Sequence, residues 1–511
     1  MQLTYSLTAA TCLAYTSEAF APSPHLSTRG IAISNLGSTA VAVEEAATST
    51  NASSEAMSEE KEVINIDDAD NAVPPSSPGL DENHLFKCTG SVEYWRNFQR
   101  DGFQSPQENL LEISNISRRF ITSQDSDAII YWAKHVGRSS YFLGNAALGT
   151  IASGLHERFV TNNNNNSDGS DGKEESRGIT LPFNINSSSA TRILLEAFLC
   201  YEQDYKQISS GSYLQPWDME LNHRQSSPIN VLTQTGRFVN EAIATLARRN
   251  RQAQEDKKIW IDEASQSLYP EYYRNAFHYQ SDGWMSVDSS NVYETSTETL
   301  FLGRQDAMQR TSLAPLVEYS KTRKDKSKPM KVLEVACGTG RFMTFMRDNL
   351  PIDTECTAVD LSPFYLDKAR DNDAYWRKTR RQADNLDKGD IKPLRLVQAN
   401  AENLPFDEGS FDAVVCVYLY HELPREARAK VSAEMSRVLK KDGLLVFTDS
   451  IQRGDRPSLD AFIVNFEKMN EPYYVDYTQD DLPAHFMKEG LKPMEKTVRS
   501  TTKSLTFRKS D

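Results

Sequence analysis

The chain has no cysteine pair at short spacing. Its six cysteines, Cys12, Cys88, Cys200, Cys337, Cys356 and Cys416, stand apart, and none forms the C-x-x-C of a zinc or redox centre. A disulfide framework and a thiolate metal site are therefore unsupported, and no other metal-ligand cluster is apparent, so no metal is expected. Long apolar runs are missing too. Residues 2–22, QLTYSLTAATCLAYTSEAFAP, make a modest apolar run, too short and too polar to span a membrane. An excess of positive charge is also lacking: the formal net charge is −14. Between Val41 and Glu82 there are 11 acids and one base, a net of −10, which leaves the rest of the chain at −4. So balanced a body argues against the broad basic surface that nucleic acid requires. The acidic run reads as a solvated linker.

What is present falls into blocks. A chain of 511 residues, 39% of them hydrophobic, has material for roughly two or three domains with real cores. Residues 37–84 are rich in Ala, Ser, Thr, Glu and Asp, contain a Pro-Pro-Ser-Ser-Pro tract at 74–78 and are expected to be disordered. Helical periodicity follows over 85–260, carried by Tyr94, Trp95, Leu110, Ile113, Ile116 and Ile129–Trp132, then by segments near Thr191–Tyr205 and Ile229–Arg251. A low-complexity insert at 161–178, TNNNNNSDGSDGKEESRG, reads as a surface loop. No chemistry-bearing motif is evident in this helical domain. Residues 261–325 form a bridge whose stretch Leu268–Leu302 crowds together Tyr272, Tyr273, His278, Trp284 and Tyr293. It is either an interdomain core or a lid, in which case His278 and Trp284 are substrate contacts.

From 326 to 511 strands and helices alternate, the pattern of an open α/β sheet with helices on both faces. Strands are expected at 331–335, 356–360, 394–399, 411–417, 443–449, 493–498 and 502–507. Ligands bind such sheets at the carboxyl ends of the strands. The segment Lys331–Asp360, KVLEVACGTGRFMTFMRDNLPIDTECTAVD, reads as strand, tight turn, helix and second strand, a unit that holds an adenosyl group. A dinucleotide turn needs Gly at its first, third and sixth positions; Ala336, Gly338 and Arg341 stand there, so two of three fail. The alternation Glu334, Ala336, Gly338, Gly340 instead suits S-adenosylmethionine. Its ammonium would meet Glu334, its carboxylate the N–H groups at the helix start, and its ribose hydroxyls Asp360. Beyond the third strand, Asn400 or Glu402 in Gln398-Ala399-Asn400-Ala401-Glu402 can meet the adenine amine. The fourth strand ends on Val417-Tyr418-Leu419-Tyr420-His421-Glu422-Leu423-Pro424.

These segments in order resemble the class I S-adenosylmethionine-dependent methyltransferases of the "type 11" kind, over roughly residues 325–450. The resemblance implies a Rossmann-like seven-stranded sheet and cofactor contacts at Glu334, Gly338, Gly340, Asp360, Leu361, Ala401, Glu402 and Val417. Ala336 stands where Gly is usual, and Asn400 where Asp is commoner. The bridge and the segments Asp449–Asp455 and Glu471–Tyr474 look like a cyanobacterial and plastid branch of that family. Separately, Ser17-Glu18-Ala19-Phe20-Ala21-Pro22, followed by Ser23, Ser27, Thr28 and Arg29, resembles the plastid-entry signal of diatoms and related algae, which implies a presequence over 1–36.

If the acceptor is a hydroxyl, a general base with a pKa near 7 helps the transfer, and His421 is the candidate, with Tyr418, Tyr420, Glu422 and Asp449 as rival pocket groups. Tyr418 is also a candidate substrate contact. The expected partner is a small or lipophilic plastid metabolite. Two alternatives stay open at this point: a catalytically silent protein of the same fold serving as a partner-binding subunit, and a nucleotide-dependent oxidoreductase.

Overall fold

Alternate residues of the central strands serve two different cores, which is why these segments read as near-continuous apolar runs. The structure, a computed structural model, describes residues 82–165, 187–220, 223–250, 268–274, 282–384, 391–463 and 471–510. Its strands are β1 (Lys87–Cys88), β2 (Lys331–Val335), β3 (Glu355–Asp360), β4 (Arg395–Gln398), β5 (Phe411–Val417), β6 (Leu439–Ser450), β7 (Leu491–Arg499) and β8 (Thr502–Lys509). They form one sheet in the order β1-β7-β8-β6-β5-β2-β3-β4. Only β8 runs antiparallel to its neighbours, lying between β6 and β7. On one face Val332, Ala358, Val415 and Val446 pack with Leu316, Phe342, Phe345 and Trp376. On the other, Leu333, Val359, Val414 and Phe447 pack with Val431, Met435, Leu482 and Phe486.

The α/β class and the seven expected strands are present, and β1 adds an eighth. Lys87 and Cys88 pair with Glu495 and Lys496 at the β7 edge. Both are exposed, so no hydrophobic pattern announced them. Glu82, which the composition placed in the solvated linker, is buried, and its Oε1 lies 2.8 Å from Lys496 Nζ and 2.7 Å from Lys503 Nζ. Together with Asp455 it balances these two buried ammonium groups, which holds it in the fold.

The helices Gly90–Asn97, Pro106–Ile121, Ser126–Asn165, Ser187–Ser209 and Pro228–Asn250 answer to the expected helical region. The third of them overruns the start of the asparagine-rich insert, because an Asn costs less than about 1 kcal/mol in a helix. These helices share a core with the sheet domain: Trp95, Ile116, Tyr131 and Leu195 cluster with Ile451, Leu459 and Val498. The described residues accordingly all fall within one compact unit. The presequence 1–36, the linker up to residue 81, most of the insert 161–178 and His278 lie outside the described residues. No described helix is long and apolar enough to cross a membrane.

Candidate functional site

The chain turns sharply after β2. Ala336, Gly338 and Gly340 all take left-handed φ angles, of +57°, +52° and +68°. Ala336 thus adopts the conformation usual for Gly at a backbone cost of about 1 kcal/mol or more. Gly340 has a second requirement: a Cβ there would stand 2.8 Å from Ala369 Cβ and 3.1 Å from its Cα. Only a hydrogen lets the helix Arg341–Asn349 start this close to the helix Pro363–Asp384. Two bonds pin the turn to β3: Cys337 N donates to Val359 O (2.9 Å), and Gly338 N donates to Asp360 Oδ2 (2.8 Å).

Asp360 ends β3 and also accepts from Ser362 N through Oδ1 (2.8 Å). Burial pushes its pKa up to about 6, against the opposing pull of the Ser362, Gly338 and Leu361 amides. One strand over, Glu334 is 2% exposed and its Oε2 has no hydrogen-bond partner. Burial, with the Asp360 charge nearby, raises its pKa well above the usual range. Both acids line a single cavity of about 300 Å³ together with Ala336, Gly338, Leu361, Asn400, Ala401 and Val417. A buried, unsatisfied carboxyl group facing a cavity is a seat for a cation. Glu334 therefore suits the ammonium of S-adenosylmethionine, and Asp360 its ribose. The residues present fit that cofactor.

Glu402 is placed elsewhere. Its Oε1 accepts from Tyr272 OH (2.6 Å) and its Oε2 lies 3.0 Å from Lys430 Nζ, so it fastens the aromatic bridge and does not line the cavity, whereas Asn400, Ala401 and Leu361 do. The bridge also covers the cofactor end more than the acceptor end. Trp284 lines the cavity but stacks on Tyr273 at 5.1 Å, and its carbonyl accepts from Ser362 Oγ. Tyr273 packs with Tyr269 and Met285 over Leu361.

Beyond β5 the cavity reaches His421. Its Nδ1 lies 2.5 Å from Asp449 Oδ1, and its Nε2 lies 3.6 Å from Glu422 Oε1. Burial alone would lower the pKa of this imidazole, but Asp449, then Glu422 and Glu471, raise it to about 10. The residue expected to be a base near 7 is thus an imidazolium at neutral pH. Asp449, one of several rival groups in the sequence, is its orienting partner. Tyr418 also lines the cavity, at φ +55°, with its hydroxyl bonded to Thr502 Oγ1 (2.6 Å). Tyr420 is buried with its hydroxyl on Ser432 Oγ (2.8 Å).

One grouping departs from the expectation of no metal-ligand cluster. His421, Glu422 and Glu471 bring potential ligand atoms within 4.8 Å of one another. Glu471 lies 49 positions beyond Glu422, so no local spacing revealed it. The same atoms also balance as an ion-pair network, with the imidazolium between the acids.

The rest of the cavity wall comes partly from the sheet domain, with Ile451, Leu459, Phe462 and Ile463, and partly from outside it: Arg192, Ile193 and Glu196 from the helix Ser187–Ser209, and Thr297, Leu300, Phe301 and Arg304 around the helix Val287–Leu300. Thr297, Leu300, Phe301 and Arg304 fall within the stretch expected to be a bridge or lid, though none was singled out; the contribution of the helix Ser187–Ser209 was not expected. Arg341, noticed only as a failed glycine position, bonds Asp306 (2.9 and 3.0 Å from Nε) and Asp218, tying the turn to this helical layer.

The sheet order, the single antiparallel strand and two acids at adjacent strand ends define the fold of class I methyltransferases. Residues 332–443 match the model of a family described as "Methyltransferase domain". This segment is similar to that family. An uncharacterised Haemophilus influenzae protein is 30% identical over 169 residues, 33% of this chain and 61% of that protein. The uncharacterised methyltransferase YcgJ of Bacillus subtilis is 28% identical over 145 residues, 28% of this chain and 50% of that protein. A demethylmenaquinone methyltransferase of Deinococcus radiodurans is 29% identical over 159 residues, 31% of this chain and 55% of that protein. The chain thus spans between half and about three-fifths of the length of these curated relatives. Among solved structures, the CurJ carbon methyltransferase is 12% identical with a TM-score of 0.35, covering 80% of this chain and 99% of that one.

Proposed function

We propose that this protein transfers a methyl group from S-adenosylmethionine to a small or lipophilic metabolite, and that it does so in the plastid. The observation that carries the proposal is the pair Glu334 and Asp360, at the ends of adjacent parallel strands, lining the same cavity as His421. The bound cofactor would supply an electrophilic methyl group on a good leaving group, so the protein's contribution is alignment and exclusion of water. Glu334 holds the ammonium, Asp360 the ribose, Leu361 and Asn400 the base, and the tyrosines of the bridge close that end. His421, oriented by Asp449, offers a positive charge to an acceptor that enters as an oxyanion or enolate. An acceptor in that form needs no proton removed, which suits a histidine whose pKa is raised to about 10. Lipophilic character is supported by the wall of Ile193, Leu300, Phe301, Leu459, Phe462 and Ile463. Several relatives are named for quinone methylation, which is in keeping with such an acceptor. The plastid assignment rests on the resemblance around Phe20.

Calorimetric titration tests the cofactor half. S-adenosylmethionine and S-adenosylhomocysteine should bind, NAD(P)H should not, and Asp360→Ala should weaken binding by about 10- to 100-fold through lost charge-assisted hydrogen bonds. Normal binding by the Asp360→Ala protein would overturn the assignment. A knockout that accumulates a compound one methyl group short would identify the acceptor. A fluorescent protein carrying residues 1–36 should enter plastids of a diatom; cytosolic fluorescence would refute the location.

A further inference from the structure

Arg304 is a buried cation with no carboxylate at ion-pair distance among the described residues; Glu196 feels its charge but is bonded to Arg456. It is 5% exposed and lines the cavity. Its Nη1 reaches only a backbone carbonyl, Ile193 O at 3.3 Å, and its Nε has no hydrogen-bond partner. Among the described residues no carboxylate forms an ion pair with it. The acids around it are committed elsewhere. Glu298 takes Arg138 at 2.6 Å and the amides of Gln305 and Asp306; Asp306 takes Arg138 at 2.6 Å and Arg341; Glu196 takes both Nη atoms of Arg456, at 3.1 and 3.0 Å. The next residue, Gln305, also lines the cavity and leaves its Oε1 acceptor without a partner.

Leaving a guanidinium buried and unpaired costs several kcal/mol unless something else supplies the negative charge. The backbone is nevertheless built to hold it there. Leu302 and Gly303 both take left-handed φ angles, +50° and +82°. Leu302 O accepts from Ser139 Oγ (2.8 Å) and Tyr201 OH (3.3 Å), and Gly303 N donates to Glu298 O (2.7 Å). A Cβ on Gly303 would meet Phe142 at 3.2 Å and Arg138 at 3.3 Å. A strained, fully packed turn thus fixes the start of the arginine side chain, the pattern of a preorganised binding group.

We propose that Arg304 is the substrate's anion anchor: the methyl acceptor carries a carboxylate or phosphate that pairs with this guanidinium, at the end of the cavity walled by the helices Ser187–Ser209 and Val287–Leu300. With the apolar wall beside it, the substrate class is an amphiphilic acid. The proposal rests on the methyltransferase reading above and adds the acceptor's charge to it.

The test uses the full chain saturated with S-adenosylhomocysteine and titrates octanoate, heptyl phosphate and octanamide, which share a heptyl tail and differ in head group. At least one anion should bind about 10- to 100-fold more tightly than the neutral amide, the range of a charge-assisted pair. The better anion distinguishes carboxylate from phosphate. Arg304→Met should abolish the preference while leaving S-adenosylhomocysteine affinity unchanged, and Arg304→Lys should keep part of it. Equal binding of acid and amide by the unaltered protein, or no binding of either anion, overturns the proposal even if Arg304→Met fails to fold. So does a preference that survives in Arg304→Met. Failure of S-adenosylhomocysteine itself to bind would instead sink the methyltransferase reading, and this proposal with it.

Discussion

Replacing Gly340 by Ala separates two costs that the adenosyl turn combines. The left-handed φ of +68° imposes the first, about 1 kcal/mol for a residue with a Cβ. The second is steric: the new methyl would sit 2.8 Å from Ala369 Cβ and 3.1 Å from backbone Cα, and backbone cannot swing aside as a side-chain tip can. Overpacking of that kind costs about 1–3 kcal/mol, so Gly340→Ala should lose about 2–4 kcal/mol in all. Gly338→Ala supplies the control. Its φ is +52°, but its Cβ would meet only Tyr365 Cδ1 at 3.9 Å, an ordinary contact, so about 1 kcal/mol is expected. Urea unfolding of both variants, and of Gly340→Ala combined with Ala369→Gly, measures the difference. The second substitution should return the steric part and leave the backbone part. S-adenosylhomocysteine affinity should fall with Gly340→Ala, because the displaced helix start carries the amides that face the cofactor's carboxylate. Equal stability losses at positions 338 and 340, or no recovery on removing the Ala369 methyl, would refute the close-approach argument.

Other expectations concern the acceptor end. The His421 pKa is about 10 in the folded protein against an ordinary 6.5, so the Asp449 partnership adds stability that is fully present below pH 6.5 and lost as the pH rises through 10. The wild-type advantage over Asp449→Asn in unfolding free energy should therefore be a few kcal/mol at pH 6 and shrink markedly by pH 10.5; a gap that does not change with pH would contradict the pairing. Because the imidazolium already balances the neighbouring acids, EDTA should leave methyl transfer unchanged. Activity lost to the chelator and restored by Mn²⁺ would show that His421, Glu422 and Glu471 hold a cation.

The parts of this molecule that could be read from the sequence are those whose physics is local. β2, β3 and β5 are buried on both faces, so their residues had to be apolar at both parities, and the runs at 331–335 and 411–417 were visible. The turn was legible because left-handed φ angles at alternate positions, and at Gly340 a close helix approach as well, favour small residues. What escaped depends on distant partners. Lys87 and Cys88 form a strand only because β7 offers them an edge. Glu402 sits in a good adenine-binding motif, yet Tyr272, 130 residues earlier, captures its carboxylate. Asp449 was one acid among several until the fold set it beside His421. Arg304 was an ordinary charged residue after a Gly-containing loop, and its lack of a carboxylate at ion-pair distance is a property of the whole packing.

The pairing of β1 with β7 brings Lys87 beside Glu495, 408 positions further along the chain. β8 lies inside the sheet between β6 and β7, so the sheet cannot be completed until residues 502–509 have joined it. Pairings this remote in sequence form late and slowly. The β6 edge, with Leu445 and Phe447 beside it, stays open to other chains until residues 502–509 arrive. Removing residues 502–509 should therefore leave a protein that aggregates, although every candidate cofactor and acceptor contact named above is still encoded.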